Sequence, residues 1–251
     1  GINMKVIIIA AGSATRLGKL TEKKPKGLLE INGKSILQRQ IELFKKYEID
    51  DIIIITGPHK KFDIDTVTYV EDVNYQDHDV LGSLMAAEDF LNGKVLTCYS
   101  DVLFDEEILK QILNFNGEIG IPIDLDWEKN YIDRIQHPKS EADNVILNQK
   151  TILKIKKNIS FCNSNEVIGE FLGPVIFSEN GSKIFVETYR KLRNTHNGNF
   201  HNSPSLKKAY LTDMLQELIN NNIKIDPIII SGKWCEVDTI EDFKKAEFLF
   251  N

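Results

Sequence analysis

Hydrophobic positions in the first half of the chain fall into short unbroken runs separated by stretches with helical spacing. Residues 5–11 end such a run in small side chains, which predicts a strand buried on both faces. A polar, glycine-containing stretch follows to about Lys34. Ser35, with Gln38 three residues later, then reads as a capping box for a helix through about Tyr47. Residues 51–56 form a second buried run that Gly57 and Pro58 stop. Strand, long loop, helix and strand make a βαβ unit, which predicts a parallel sheet. The pattern continues with a strand over 66–70, a helix over 82–91, a strand over 94–100 and a helix over 106–115.

From about Gly117 to Ser178 the texture changes. Short β-prone pieces at 120–123, 144–156 and 171–177 alternate with turn residues, which predicts antiparallel strands laid over the sheet. Helices over 183–193 and 211–221 flank residues 194–205, an Asn- and His-rich stretch expected to be a mobile loop. Residues 225–230 read as a last strand, and Thr239 with Asp242 caps a final helix. The chain shows no repeat, linker or low-complexity tract, so 1–251 reads as one α/β domain.

Composition narrows the function classes. A net charge of −6 argues against a sequence-independent nucleic-acid binder, which needs a basic face to neutralise phosphates. The three cysteines are widely spaced and form no CxxC pair, so neither a zinc cage nor a redox dithiol is expected. They read as reduced thiols of a cytoplasmic protein. No apolar run is long enough to span a bilayer, so no membrane partner is expected. Gly1–Asn3, ahead of Met4, reads as an addition to the natural start.

The chemistry concentrates just after the first strand. Ala10, Ala11 and Gly12 leave almost no side chain in the way of a ligand at a strand's carboxyl end, where open α/β sheets bind. The turn Ser13, Ala14 and Thr15 can aim amide N–H groups at phosphate oxygens. Arg16 adds a fixed cation suited to a triphosphate. Pro25 stiffens the chain before a second cation, Lys26. The dinucleotide fingerprint fails here, because Ala14 and Leu17 stand where its second and third glycines belong. A Walker A loop ending at Gly33, Lys34 and Ser35 fails too, since it needs a glycine where Leu28 stands.

Ala10, Ala11, Gly12, Arg16 and Leu17, followed by Pro25 and Lys26, resemble the signature of nucleotidyltransferases that act on sugar phosphates and small phosphorylated metabolites. The likeness extends to Tyr99, Ser100 and Asp101, and to Trp234 through Thr239. It departs at Ala14, where the family usually has glycine; if that site needs a positive φ, alanine costs roughly 1 kcal/mol. The resemblance implies a Rossmann-like (glycosyltransferase-A-like) fold: a mostly parallel mixed sheet flanked by helices, with an antiparallel addition on the acceptor side. Residues of about 4–116 would form a nucleotide-binding half and about 117–251 an acceptor-binding half.

The resemblance also implies roles. Asp101 and Asp238 would hold Mg²⁺, a cation that favours one or two carboxylates with water and phosphate oxygens. Each aspartate also reads as a helix cap, Asp101 for the helix at Glu106 and Asp238 beside Thr239. Gly82 and Ser83 would contact base and ribose. Arg16 and Lys26 would carry the catalytic charge. Further likeness, in Trp127, Tyr131, Arg134, Glu141, Glu170 and Tyr210 with Asp213, points to the cytidylyltransferases for phosphonates, phosphocholine and phosphoglutamine. Within these the resemblance points to the phosphoglutamine type, which serves capsular phosphoramidate synthesis.

The implied substrates are CTP and a small phosphorylated acceptor, and the family's habit implies a homodimer. Glu170 and Asp213 can bind an ammonium group, Trp234 can offer an aromatic face to a cation, and Arg134 can meet a phosphate or carboxylate. The same four residues also read as helix-end and surface charges. The five histidines fall in no motif and read as surface or loop residues. Two other readings stay open: a hexose-1-phosphate uridylyl- or thymidylyltransferase, and a catalytically silent nucleotide sensor. The intact set Arg16, Lys26, Asp101 and Asp238 argues against silence.

Overall fold

A computed structural model describes residues 3–12, 15–22, 24–58 and 62–251 of the chain. The strand β1 (Lys5–Ala10) leads through the short hairpin β2 (Glu30–Ile31) and β3 (Lys34–Ser35) into α1 (Ile36–Lys46) and β4 (Asp51–Thr56). β5 (Thr68–Glu71), α2 (Val80–Met85), β6 (Val95–Tyr99), β7 (Val102–Phe104), α3 (Glu106–Leu113) and β8 (Ile119–Asp124) follow. The second half runs β9 (Asp143–Asn148), β10 (Thr151–Lys157), β11 (Val167–Phe171), β12 (Val175–Phe177), α4 (Glu179–Thr195) and α5 (Leu211–Asn220). It closes with β13 (Asp226–Ile229), β14 (Trp234–Glu236) and α6 (Ile240–Leu249).

The main sheet runs β10-β9-β11-β8-β12-β6-β1-β4-β5, with β13 added in parallel along β8. Its β6-β1-β4-β5 part is parallel throughout, as the βαβ pattern predicts. Alternation along β1 sends Val6 and Ile8 to one face, under α1 and α3. Ile7 and Ile9 face the other side, where Leu81, Phe185 and Met214 bring in α2, α4 and α5. The sheet is therefore covered on both faces, as parallel strands require. A third, smaller cluster joins Leu17, Ile36, Leu103, Val237 and Ala246 beneath α6.

Several expected elements have different bounds, for local reasons. The second helix begins at Val80, not Gly82, because the Asp79 carboxylate accepts from the Val80 amide, and it ends at Met85. Residues 144–156 are a hairpin, turned at Gln149 with φ 55°. Residues 171–177 split into two strands at Gly173, φ 116°, followed by Pro174. A side chain at Gly173 would strike the Tyr99 ring at 2.7 Å. The antiparallel strands extend the sheet edge to edge; they do not lie over it. Ser35 caps α1 by accepting from the Gln38 amide, but the Gln38 side chain turns to Glu42, so only half of the box forms.

The 194–205 stretch, expected to be a free loop, is folded into the body. Phe200 is buried, its backbone pairs with that of Ser203, and the Ser203 hydroxyl donates to Asp213 at 2.7 Å. Among the described residues, no helix is long and apolar enough to cross a membrane. Cys98 and Cys235 are buried, Cys162 is half-buried, and all three are free thiols.

Candidate active site

A cleft of about 270 Å³ opens at the carboxyl ends of β1 and β6. Ala10, Gly12, Arg16, Lys26, Asp101 and Asp238 all line it. A Cβ added to Gly12 would meet nothing within 4 Å, so the backbone there stands open to an approaching ligand. Ala11 lies buried behind this wall. Thr15 opens a 3-10 turn, Thr15–Thr21, which carries Arg16. Ser13 and Ala14 lie outside the described residues, as does His59.

Asp101 and Asp238 are far apart in sequence, and a two-stranded ladder brings them together. β14 pairs antiparallel with β7, with Glu236 opposite Val102, and the Val237 amide donates to the Asp101 carbonyl at 2.8 Å. The Gln40 side-chain amide donates 2.8 Å bonds to the carbonyls of Tyr99 and Val102, fixing the turn that carries Asp101 from both sides. On the other strand, Thr239 and Asp242 form a capping box at the start of α6, and Asp242 also accepts from the Asp238 amide. The expected cap over α6 is therefore present, and Asp238 sits just ahead of it with its carboxylate in the cleft. Asp105, not Asp101, caps α3.

The Lys26 ammonium lies between the two acids, 3.0 Å from Asp101 Oδ2 and 3.0 Å from Asp238 Oδ1. It sits on a tight 3-10 turn after Pro25, packed close because the next residue is glycine. A Cβ on Gly27 would come within 3.0 Å of Leu37 and 3.2 Å of the Ser100 Cβ. Burial works to lower the Lys26 pKa, but Asp101 and Asp238 beside it raise it instead. Burial pushes the Asp101 carboxyl up against the pull of Lys26. Burial also works to raise Asp238, yet Lys26 and Arg16 hold it below the usual carboxylate range. Arg16 spans the cleft, pairing with Asp238 and, at 2.9 Å, with Glu141.

The other expected contacts do not reach the cleft. Gly82 and Ser83 turn away from it. The Ser83 hydroxyl donates to buried Asp72 at 2.8 Å, and Gly82 is small because a Cβ would strike His78 at 2.6 Å and the Lys207 carbonyl at 2.7 Å. Val80, two residues earlier, lines the cleft instead. Arg134 forms a two-pronged pair with Asp242, at 2.6 and 2.9 Å, and so braces α6. Glu170 is buried, accepts from the Tyr131 hydroxyl at 2.5 Å, and is pushed well above the carboxylate range by burial. Asp213 caps α5 by accepting from the Tyr210 amide. The Trp234 indole is buried and donates to Asp124 at 2.9 Å. Each of the four has a partner within the protein, and none of them lines the cleft.

The cleft is also lined by His137, Glu141, Asp143, Lys157, Tyr210 and Glu236. Glu236 was legible: it stands two residues before Asp238 on an extended chain, hence on the same side. His137 was not, since no local motif marks it. Expected at the surface, it is instead 4% exposed, with Nε2 2.9 Å from Glu236. Burial works to lower its pKa, but Glu236 raises it above the ordinary histidine value. Ligand atoms of His137, Glu236 and Asp238 all lie within 4.8 Å of one another. The carboxylates of Asp101 and Asp238 are hard oxygen donors that suit a cation such as Mg²⁺, and Lys26 already marks a cation position between them. The donor set therefore fits a divalent metal.

Residues 6–122 match the MobA-like NTP transferase domain. The chain is 25% identical over 258 residues to CTP:phosphoglutamine cytidylyltransferase of Campylobacter jejuni, covering 96% of this chain and 98% of that one. It is 40% identical over 99 residues to choline-phosphate cytidylyltransferase of Streptococcus pneumoniae, covering 37% of this chain and 43% of that one. The solved structure of CTP:phosphocholine cytidylyltransferase from Streptococcus pneumoniae superimposes over 100% of both chains, with a TM-score of 0.72 and 21% identity, which speaks for a shared fold.

Proposed function

We propose that the chain, whose residues 6–122 match the MobA-like NTP transferase domain, is a nucleotidyltransferase that transfers CMP from CTP to the phosphate of a small phosphorylated acceptor. The acceptor is a phosphorylated amino acid of the glutamine type. The observation that carries this reading is the Lys26 ammonium bridging Asp101 and Asp238 at the carboxyl edge of the sheet, with Arg16 at the same cleft. The full-length likeness to a phosphoglutamine enzyme supports the donor and the acceptor.

An acceptor phosphate oxygen is ionised at neutral pH, so the reaction needs no proton removed. That oxygen attacks the α-phosphorus in line; the new P–O bond forms as the bond to the β-phosphate oxygen breaks, and pyrophosphate leaves. The protein's task is positioning and charge neutralisation. The open backbone at Ala10 and Gly12 admits the nucleotide phosphates. Lys26 draws acceptor phosphate and α-phosphate together against their like charge, while Arg16 meets the departing pyrophosphate. Asp101 and Asp238 would hold Mg²⁺, which would supply further neutralisation of phosphate charge.

A second reading takes phosphocholine as the acceptor, favoured by the local likeness to the choline-phosphate enzyme. Pyrophosphate release with Mg²⁺, from each of four NTPs against phosphoglutamine, phosphocholine, 2-aminoethylphosphonate and hexose 1-phosphates, tests both. Release from CTP with an amino-bearing phosphate is expected. Release only from UTP or dTTP with a hexose phosphate would overturn the cytidylyl reading, and silence with every pair would overturn the enzyme.

A further inference from the structure

Two opposite charges stand at the acceptor end of the cleft without meeting. β9 and β10 pair antiparallel so that Lys157 lies opposite Asp143, and both side chains line the cleft. Opposite charges facing each other across a hairpin ordinarily close into a pair. These do not. The Lys157 ammonium rests over the Tyr210 ring, 5.2 Å from its centroid. The Asp143 carboxylate has neither a hydrogen bond nor an ion pair among the described residues. From these positions we infer that Asp143 and Lys157 together read an amino-acid zwitterion on the acceptor, Asp143 taking its ammonium and Lys157 its carboxylate. The inference rests on the transferase reading above and says what that transferase selects.

The chemistry of the alternatives supports the choice. Burial raises the Asp143 carboxyl to about 7, with nearby Glu236 adding to the effect, so this group gains from a cation brought by a ligand. Choline phosphate or ethanolamine phosphate would satisfy Asp143 and leave Lys157 facing an acceptor with no second anion. A sugar phosphate would satisfy neither charge. Only a ligand carrying both signs, held apart from its phosphate, fills both positions. A site built to bind a charged group disfavours the analogue that lacks it, because its own charge is then left without a partner.

Four probes separate the two contacts. O-Phosphoserine carries both charges, phosphoethanolamine only the ammonium, 3-phosphoglycerate only the carboxylate; phosphoglutamine is the longer amino-acid phosphate. In CTP-dependent pyrophosphate release, the better amino-acid phosphate is expected to exceed either single-charge probe by about tenfold or more in kcat/KM. Lys157→Met is expected to cost the carboxylate-bearing probes about 10- to 100-fold more than phosphoethanolamine, with Lys157→Arg restoring much of the preference. Asp143→Asn is expected to cost the ammonium-bearing probes more than 3-phosphoglycerate. CTP affinity of each variant, by calorimetry, separates lost selectivity from lost fold.

Equal use of phosphoethanolamine and the amino-acid phosphates, or a uniform loss across probes in both folded variants, would overturn the inference while leaving cytidylyl transfer intact. Silence of the wild-type protein with every probe would overturn the transferase reading, and this inference with it.

Discussion

An ammonium held between two largely buried carboxylates cannot be exchanged for a neutral side chain without leaving negative charge uncompensated. Lys26→Met should therefore act twice. Transition-state stabilisation by one positioned cation is worth roughly 10²–10³ in rate, so kcat/KM should fall by about that factor in pyrophosphate release. The Asp101 carboxyl, already pushed up by burial, should rise further, which proton-detected titration of the variant would show. Asp143 makes a separate prediction about stability. Its folded-state value of about 7 lies above the ordinary 3.8, so the folded protein keeps a proton that the unfolded chain has lost. Stability from this group falls as pH rises from about 4 to about 7. Asp143→Asn should remove that loss, making the variant about 1–3 kcal/mol more stable than wild type at pH 8, after discounting for the cleft's solvent. Thermal melts from pH 5 to 8 would check it. Arg16 and Lys26 stood out in the sequence as cations of the loop after the first strand, and Asp101 and Asp238 through the resemblance that their neighbours carry; all four line one cleft. Arg134, Glu170, Asp213 and Trp234 were read as ligand contacts because their partners, Asp242, Tyr131, Ser203 and Asp124, lie on elements whose pairing no spacing reveals.

At the scale of elements, the start of α6 decides where Asp238 points. Thr239 and Asp242 close the capping box, Asp242 also holds the Asp238 amide, and Arg134 holds Asp242. Thr239→Ala should cost about 1–2 kcal/mol in denaturant unfolding. Arg134→Met leaves buried Asp242 without its cation and should cost roughly 3–5 kcal/mol. In a folded fraction it should lower kcat by loosening Asp238, with little change in acceptor KM. A large rise in acceptor KM with kcat preserved would instead return Arg134 to the acceptor site. The Thr239 cap could be read from sequence because its two members are three residues apart. The β7–β14 ladder could not, since each strand has only three residues and too short a pattern to stand out from a turn.

Across the whole molecule, one sheet changes character midway. Its β6-β1-β4-β5 part is parallel, and its apolar runs made these strands and their parallel pairing readable. The β10-β9-β11-β8 part is antiparallel and supplies Asp143 and Lys157 from opposite strands of one hairpin. The hairpin's register depends on the turn at Gln149, which carries no glycine signal, so sequence spacing alone placed neither residue at the cleft. The last strand then returns to β7 and sets Glu236 and Asp238 beside Asp101, joining two distant parts of the chain in one charged cluster. The central claim is that the α-phosphorus of CTP moves to an acceptor phosphate. It is tested most directly by following label from [α-³²P]CTP and [γ-³²P]CTP in parallel reactions with phosphoglutamine and Mg²⁺. The α label should appear in a CDP-linked product and the γ label only in pyrophosphate. Gamma label on the acceptor, or α label left in CTP under conditions where the protein is folded and binds nucleotide, would contradict it.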